Sequence, residues 1–288
     1  MDQHHPQGAA NPPIPPTAVQ VPVTVVRLDG PGQQPGARAV AVEVAVNVVY
    51  GTVPYAVMMM TPADLEDFAV GFSLTEGVIH GRADIRRTRV EHDVNGLRLI
   101  ADLAPECFHR LLARRRSMSG RTSCGVCGIE DLAAVPRTAQ RHAVGAAVSP
   151  AAMQRALHDL PGRQELNQET RAVHAAAWAD AGGTILMIRE DVGRHNALDK
   201  LIGALLTAGT DPAGGFLVVT SRCSYEMVEK AAAFGAGALV AISAPTSLGV
   251  ERARHHGITL VGVARDGAAT MFSGPQAPAE EAAALSQA

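Results

Sequence analysis

The sequence predicts an α/β protein: a layered strand-and-helix sheet fills the C-terminal half, with a β-rich part ahead of it. Two patterns carry this. From Thr184 onward, four apolar runs of strand length, at 184–189, 216–221, 238–243 and 259–264, alternate with helical segments near 196–206, 225–234 and 247–256. That spacing is expected of strands lying side by side, parallel in this region, with helices on their faces. Closer to the N-terminus, Val40, Val42, Val44 and Val46 alternate with smaller or polar neighbours, the mark of a half-buried strand. Of the 288 residues 47% are hydrophobic but only 3% aromatic, so the core must be built of Val, Ala, Leu and Ile.

Taken in order, residues 1–19 carry two His and five Pro without an apolar segment, and read as a disordered lead with no export signal. Strands are expected at 21–27 and 39–49, a turn at Gly51, and a further strand at 53–60. Thr61 then reads as a helix N-cap, Pro62 as the first helical residue and Asp64 as a first-turn acid. Leu65, Phe68, Ala69 and Phe72 give that helix an apolar face, and Gly77 ends it. Residues 85–104 read as a strand pair turning at Asn95-Gly96. Residues 275–288 read as a flexible tail. These signals divide the chain into a lead (1–19), a β-rich part (20–135), an α/β domain (136–274) and the tail.

Several function classes are excluded at this level. A net charge of −3 gives no basic field for nucleic acid. No run approaches the ~20 apolar residues of a membrane span. Four cysteines in so long a chain make no disulfide framework, which points to reduced thiols and a cytoplasmic setting. Two of them form the only Cys-x-x-Cys pair, Cys124 and Cys127, in the glycine-rich stretch TSCGVCG. A structural zinc site would need two more ligands. The pair therefore suits redox or sulfur chemistry, half a metal site completed by distant His, or two inert thiols. Nearby Arg121 and the Arg114–Arg116 run could favour the thiolate. Cys107 and Cys223 read as small filler residues.

In a sheet of this kind the loops after the strands gather on one edge, where ligands bind. Here they are 190–196, 222–224, 244–246 and 265–267. The first lies in EDVGRHNALDK, in which Arg194 could hold an anion, Asp191 and His195 could pair, and Asn196 could cap the next helix. Arg222 and Ser224 precede another helix, where free amides and an Arg suit a phosphate; Ser224 also reads simply as an N-cap. His174 is followed by Ala175 and Ala176, without the glutamate of a zinc deaminase.

Together these residues resemble the formate dehydrogenase accessory sulfurtransferase family, FdhD. The likeness runs over roughly 20–272 and is most specific in EDVGRHNALDK (190–200), TSCGVCG (122–128) and TPADLEDFAVGFSLTEGVI (61–79), with SRCSYEMVEKA (221–231) and SAPTSL (243–248) in agreement. It implies a cytidine deaminase-like, three-layer α/β core with an added β-rich part, and a homodimer. It implies a sulfur carrier that takes sulfur from a cysteine desulfurase as a persulfide. The sulfur then passes to the molybdenum (or tungsten) bis-molybdopterin guanine dinucleotide before that cofactor enters the catalytic subunit of formate dehydrogenase. By match to the motifs, Cys124 carries the persulfide and Cys127 assists. The family's cofactor-binding stretch falls on Val263, Ala264, Arg265, Asp266, Gly267 and Ala268, with Arg194, His195, Arg222 and Ser224 in the same crevice and GDP as a fragment mimic. No resident metal is expected. The alternative is a cofactor-binding chaperone whose thiols only ligate or protect the cofactor. The chain departs from the family at 170–174, which reads TRAVH ahead of the helix that the resemblance implies near 175, and at 220–222, which reads TSR followed by Cys223.

Overall fold

A computed structural model describes residues 13–115, 148–265 and 267–275. Cys124, Cys127, Asp266, the division at 135/136 and all but the first residue of the 275–288 tail lie outside them. The described residues form a mixed α/β fold with three sheets. β1 (Ala18–Val26) and β2 (Gln33–Ala41) form an antiparallel ribbon. A four-stranded sheet follows in the order β4-β3-β6-β5, built from β3 (Val44–Tyr50), β4 (Val53–Met60), β5 (Ile85–Asp93) and β6 (Gly96–Leu103). α1 (Leu65–Thr75) leaves β4, and α2 (Pro105–Arg115) follows β6.

The third sheet has six strands in the order β12-β11-β10-β9-β7-β8. They are β7 (His174–Asp180), β8 (Ile185–Asp191), β9 (Gly215–Val219), β10 (Ala238–Ala241), β11 (Thr259–Arg265) and β12 (Ala268–Ser273). The helices of this half are α3 (Pro150–Arg163), α4 (Glu165–Thr170), α5 (Arg194–Thr207), α6 (Tyr225–Phe234) and α7 (Ser247–His256). Strand residues alternate between two cores. Trp178, Leu217, Val219, Leu239 and Leu260 pack with α1, α5, α6 and the four-stranded sheet. Ala177, Phe216, Val218, Val240 and Val261 pack with Met153, Ala156 and Leu160 of α3. Helices thus cover both faces of the six-stranded sheet, and the four-stranded sheet closes over α1.

α1 and α5 cross with their backbones in contact. A Cβ on Gly203 would lie 1.8 Å from the Asp67 carbonyl oxygen, and one on Gly71 1.8 Å from that of Asp199. Only glycine allows this approach, and it fixes the N-terminal part against the strand-end side of α5.

The structure corrects several expectations. The four expected strands, β8 to β11, do run in one direction, but two further strands pair antiparallel with them, β7 between β8 and β9 and β12 beside β11. No helix forms at 175. Ala175 to Ala179 lie in the interior strand β7, each 2% exposed or less. Burial on both faces between helices, where small side chains fit, overrides alanine's helical preference. The expected strand at 39–49 is two strands in different sheets, broken where the Val42 amide donates to the Thr17 carbonyl. The lead is ordered by residue 18, where β1 begins. α1 begins at Leu65 with Asp64 as N-cap, in a left-handed conformation (φ 52°) and without a side-chain cap bond. Thr61 is not available as the cap, because its groups bond to the turn before α5.

Candidate functional site

β8 to β11 all end at one edge of the sheet, and β7 begins there. The loops are tied to one another across it. The Thr220 amide donates to the Ala175 carbonyl (3.1 Å), and the Ala175 amide to Thr220 Oγ1 (2.9 Å). The Cys223 amide donates to Ala244 O, the Thr246 amide to Cys223 O, and the Val263 amide to Ser243 O. Four strand spacings of about 4.8 Å separate β8 from β11, so the edge is roughly 19 Å long. α5, α6 and α7 each start from it, after β8, β9 and β10. Three helix N-termini, each equivalent to about half a positive charge, therefore face one edge and favour an anion there.

EDVGRHNALDK separates into scaffold and site. Asp191 and Lys200 are both 0% exposed and form an ion pair of 2.6 Å. Asp191 also accepts from the amides of Thr61 (3.0 Å) and Gly193 (2.7 Å) and from Asn196 Nδ2 (3.0 Å). Lys200 Nζ donates to Thr61 O (2.9 Å), Asn196 Nδ2 to Met59 O (2.8 Å), and the Val192 amide to Thr61 Oγ1 (3.2 Å). This network joins the end of β4 to the start of α5. Gly193 is the N-cap, where a Cβ would sit 2.7 Å from Asn196 Nδ2. Glu190 accepts from the amides of Leu166 and Asn167 and so caps α4. Asp199 is buried with Lys230 (2.8 Å) and Thr75 (2.8 Å); burial pushes its carboxyl upward against the pull of that lysine.

Two expectations therefore fail here. Asp191 pairs with Lys200 and not with His195, and Asn196 holds the turn from inside α5 and does not cap it. What the scaffold leaves over is Arg194 and His195. Arg194 makes no ion pair among the described residues, and its buried Nε has no hydrogen-bond partner. His195 Nε2 is also buried without a hydrogen bond; it faces Glu226 Oε2 at 3.7 Å, which is an ion-pair distance only. His174, at the start of β7, reaches Thr220 Oγ1 at 3.5 Å. Burial, with the charges of Arg194 and His195, pushes its imidazole toward the neutral form. Buried orphan donors of this kind mark a place where a ligand or water completes the bonding.

On the neighbouring loop Arg222 is exposed. Ser224 occupies the N-cap of α6, but its hydroxyl donates to Glu226 Oε2 (2.7 Å) and takes no helix amide. His195 first, and Ser224 after it, hold the Glu226 carboxyl down at about 2. Sequence reasoning reaches His174 only as a zinc-ligand candidate and as part of the departing stretch 170–174, and does not single out Glu226. The only sequence signal for Glu226 was its place two residues after Ser224.

The described residues of the stretch 263–268 lie on the same edge, with Ala264 on the α3 face of the sheet. Val263 has φ 52°, rare for a β-branched residue, at a bulge between Gly262 and Arg265. The bulge returns Ala264 to the face of Val261. Ala264, Gly267 and Ala268 line a mainly apolar pocket of about 480 Å³ with Met153, Leu157, His158 and Ile242. Arg265 pairs through its backbone with Ala268. The edge thus brings the predicted residues into one row while dividing them: Arg194, His195, Arg222 and Ser224 lie at the starts of α5 and α6, and 263–268 beside α3.

Cys107 and Cys223 are buried, and burial pushes the Cys223 thiol up to about 12. Both are the inert fillers expected. Among the described residues no group of three or more His, Cys, Asp or Glu could hold a metal, and no helix is long and apolar enough to cross a membrane.

Residues 41–278 match the sequence model of the FdhD/NarQ family. The sulfur carrier protein FdhD of Cupriavidus necator is 49% identical over 243 residues, covering 84% of each chain. That of Xanthomonas euvesicatoria is 50% identical over 237 residues, covering 82% of this chain and 84% of the other. Among solved structures, one described as a "putative formate dehydrogenase accessory protein" of Desulfotalea psychrophila has the same fold. Its TM-score is 0.70 at 23% identity, over 91% of this chain and 99% of that one.

Proposed function

The chain belongs to the FdhD/NarQ family, and on that premise we propose that it carries sulfur as a persulfide on Cys124 to a molybdenum (or tungsten) bis-molybdopterin guanine dinucleotide bound along the strand-end edge. The sulfur donor is a cysteine desulfurase. Its persulfide gives up the outer sulfur to the Cys124 thiolate and is left as a thiolate; when that sulfur passes on, the S–S bond of Cys124 breaks, Cys124 is left as thiolate, and the two electrons that bring the sulfur to the sulfide level would come from the metal of the cofactor substrate, oxidised by two electrons. Cys127 assists, and the loaded cofactor, a substrate and not a resident group, goes on to formate dehydrogenase. The chain acts as a homodimer in the cytoplasm.

The observation that carries this reading is the polar edge itself. Three helix N-termini, Arg194, unpaired among the described residues, and the exposed Arg222 stand on an edge roughly 19 Å long, which suits a ligand with several phosphates. The 480 Å³ pocket beside 263–268 offers an apolar wall for a ring at the other end of the row. The names of the relatives supply the sulfur. Complementation tests the whole: Cys124→Ser, folded and expressed normally, should fail to activate a formate dehydrogenase that the unaltered chain activates. Full activation by that variant would remove Cys124 from the mechanism.

A further inference from the structure

Neither the scaffold nor the reading above uses the Glu226 carboxylate, although it stands at the centre of the polar edge. It lies in the first turn of α6 with its side chain three-quarters buried. Ser224 Oγ donates to Oε2 at 2.7 Å, and His195 Nε2 faces the same oxygen at 3.7 Å. No side chain among the described residues engages Oε1. An anion in the mouth of two helix N-termini, beside Arg194 and Arg222, opposes phosphate binding at its own position. It is nevertheless fixed there, by two groups acting on one oxygen. Oε1 and the second lone pair of Oε2 remain available as a planar pair of acceptors. The ligand feature that matches two such acceptors is a planar pair of parallel N–H donors.

We propose that Glu226 reads the 2-amino-4-oxopyrimidine edge of a bound ring, taking its ring N–H on one oxygen and its exocyclic amino group on the other. That edge is shared by guanine and by pterins. Adenine presents an acceptor where the ring N–H is required, so the carboxylate would meet a lone pair, and discrimination is negative as well as positive. Arg194 and the helix amides then serve the phosphates, and Glu226 the base. The inference rests on the strand-end edge being the nucleotide site.

The test is calorimetric titration of the full chain with GDP, IDP (which lacks the 2-amino group) and ADP, and with neopterin and lumazine as the matching pterin pair. The unaltered chain should prefer GDP over IDP, and IDP over ADP, by about tenfold or more per lost hydrogen bond to the charged group. Glu226→Gln puts an amide donor where an acceptor is needed. It should lower GDP affinity about 10- to 100-fold and, with the repulsion of the adenine lone pair gone, leave ADP binding no weaker than before. Glu226→Ala removes both acceptors without adding a donor and should also lose the preference. A Glu226-dependent preference for GDP over IDP assigns guanine as the ring; the same dependence for neopterin over lumazine, without one for GDP, assigns the pterin. Selective GDP binding that survives both substitutions overturns this inference alone. Tighter binding of all nucleotides by both variants also overturns it, because Glu226 then merely repels phosphate. No binding of any nucleotide or pterin by the unaltered chain overturns the nucleotide reading of the edge, and this inference with it.

Discussion

Lys200→Met is the sharpest test of the division between scaffold and site in EDVGRHNALDK. The substitution keeps an apolar stem as far as Cε, with sulfur in place of Cδ, and removes Nζ and its charge. Asp191 then loses its 2.6 Å partner, and the Thr61 carbonyl loses a donor at 2.9 Å. Both members of the pair are wholly buried, so water cannot replace the missing charge. Breaking a buried ion pair from one side costs about 3–5 kcal/mol. Asp191 keeps the amides of Thr61 and Gly193 and the Asn196 side chain, which places the expected loss near the lower bound, about 3 kcal/mol. In a protein of this size about 2–4 °C accompanies each kcal/mol, so the thermal midpoint should fall by roughly 6–12 °C. Circular dichroism during heating measures it. Adding Asp191→Asn removes the stranded charge and should restore part of the loss. A fall of less than about 2 °C would refute the assignment of Lys200 to the scaffold and return it to the list of candidate ligand groups.

Arg194→Ala should behave in the opposite way: GDP affinity falls about 10- to 150-fold, for a charge-assisted contact of roughly 1.5–3 kcal/mol, while the midpoint moves little. Intact binding with a large fall in midpoint would make Arg194 structural. Glu226 makes stability depend on pH with a definite sign. Its folded value, about 2, lies below the ordinary 4.5, so its contribution is fully present above about 4.5 and is lost as pH falls toward 2. Denaturant melts of the unaltered chain and Glu226→Gln should therefore differ at pH 6 and converge only as pH approaches about 2. Cys223, with its thiol pushed up to about 12, should resist a thiol reagent at pH 8 in the native protein, and Cys107 should react slowly, while Cys124 labels fast. Equal rates for all three would contradict the division of labour among the cysteines.

Much of the fold was legible where local pattern and tertiary demand agree. The segments at 225–234 and 247–256 carry helical periodicity, begin after Ser224 and Thr246, and end at Gly235 and Gly257 in left-handed conformation; both helices have the expected bounds. β7 was not legible, because an alanine-rich run has no strand periodicity and becomes a strand only between two packed helix layers. The start of α1 misled for a related reason. Thr61-Pro62 has the chemistry of a helix start, but Thr61 is drawn into bonds with residues 130 or more positions away in the chain. At the site, the strand-end loops were predictable from strand order alone, and Arg194 and His195 stand where that order puts them. Their separation from Asp191 and Lys200 was not predictable, since only burial distinguishes a lysine that holds a turn from one that holds a ligand. Glu226 escaped notice because an acid in the first turn of a helix is ordinary as a sequence feature. Its fixed carboxylate shows only in three dimensions.

We propose Cys124 as the bearer of the transferable sulfur. The most direct test is mass spectrometry of the native chain after incubation with a cysteine desulfurase and L-cysteine, followed by digestion without reductant. A gain of one sulfur atom is expected on the peptide containing Cys124, reversed by dithiothreitol and absent from Cys124→Ser, with no gain on the peptides of Cys107 or Cys223. An unmodified Cys124 peptide beside a desulfurase shown to be charged with persulfide, or a gain that persists in Cys124→Ser, would contradict it.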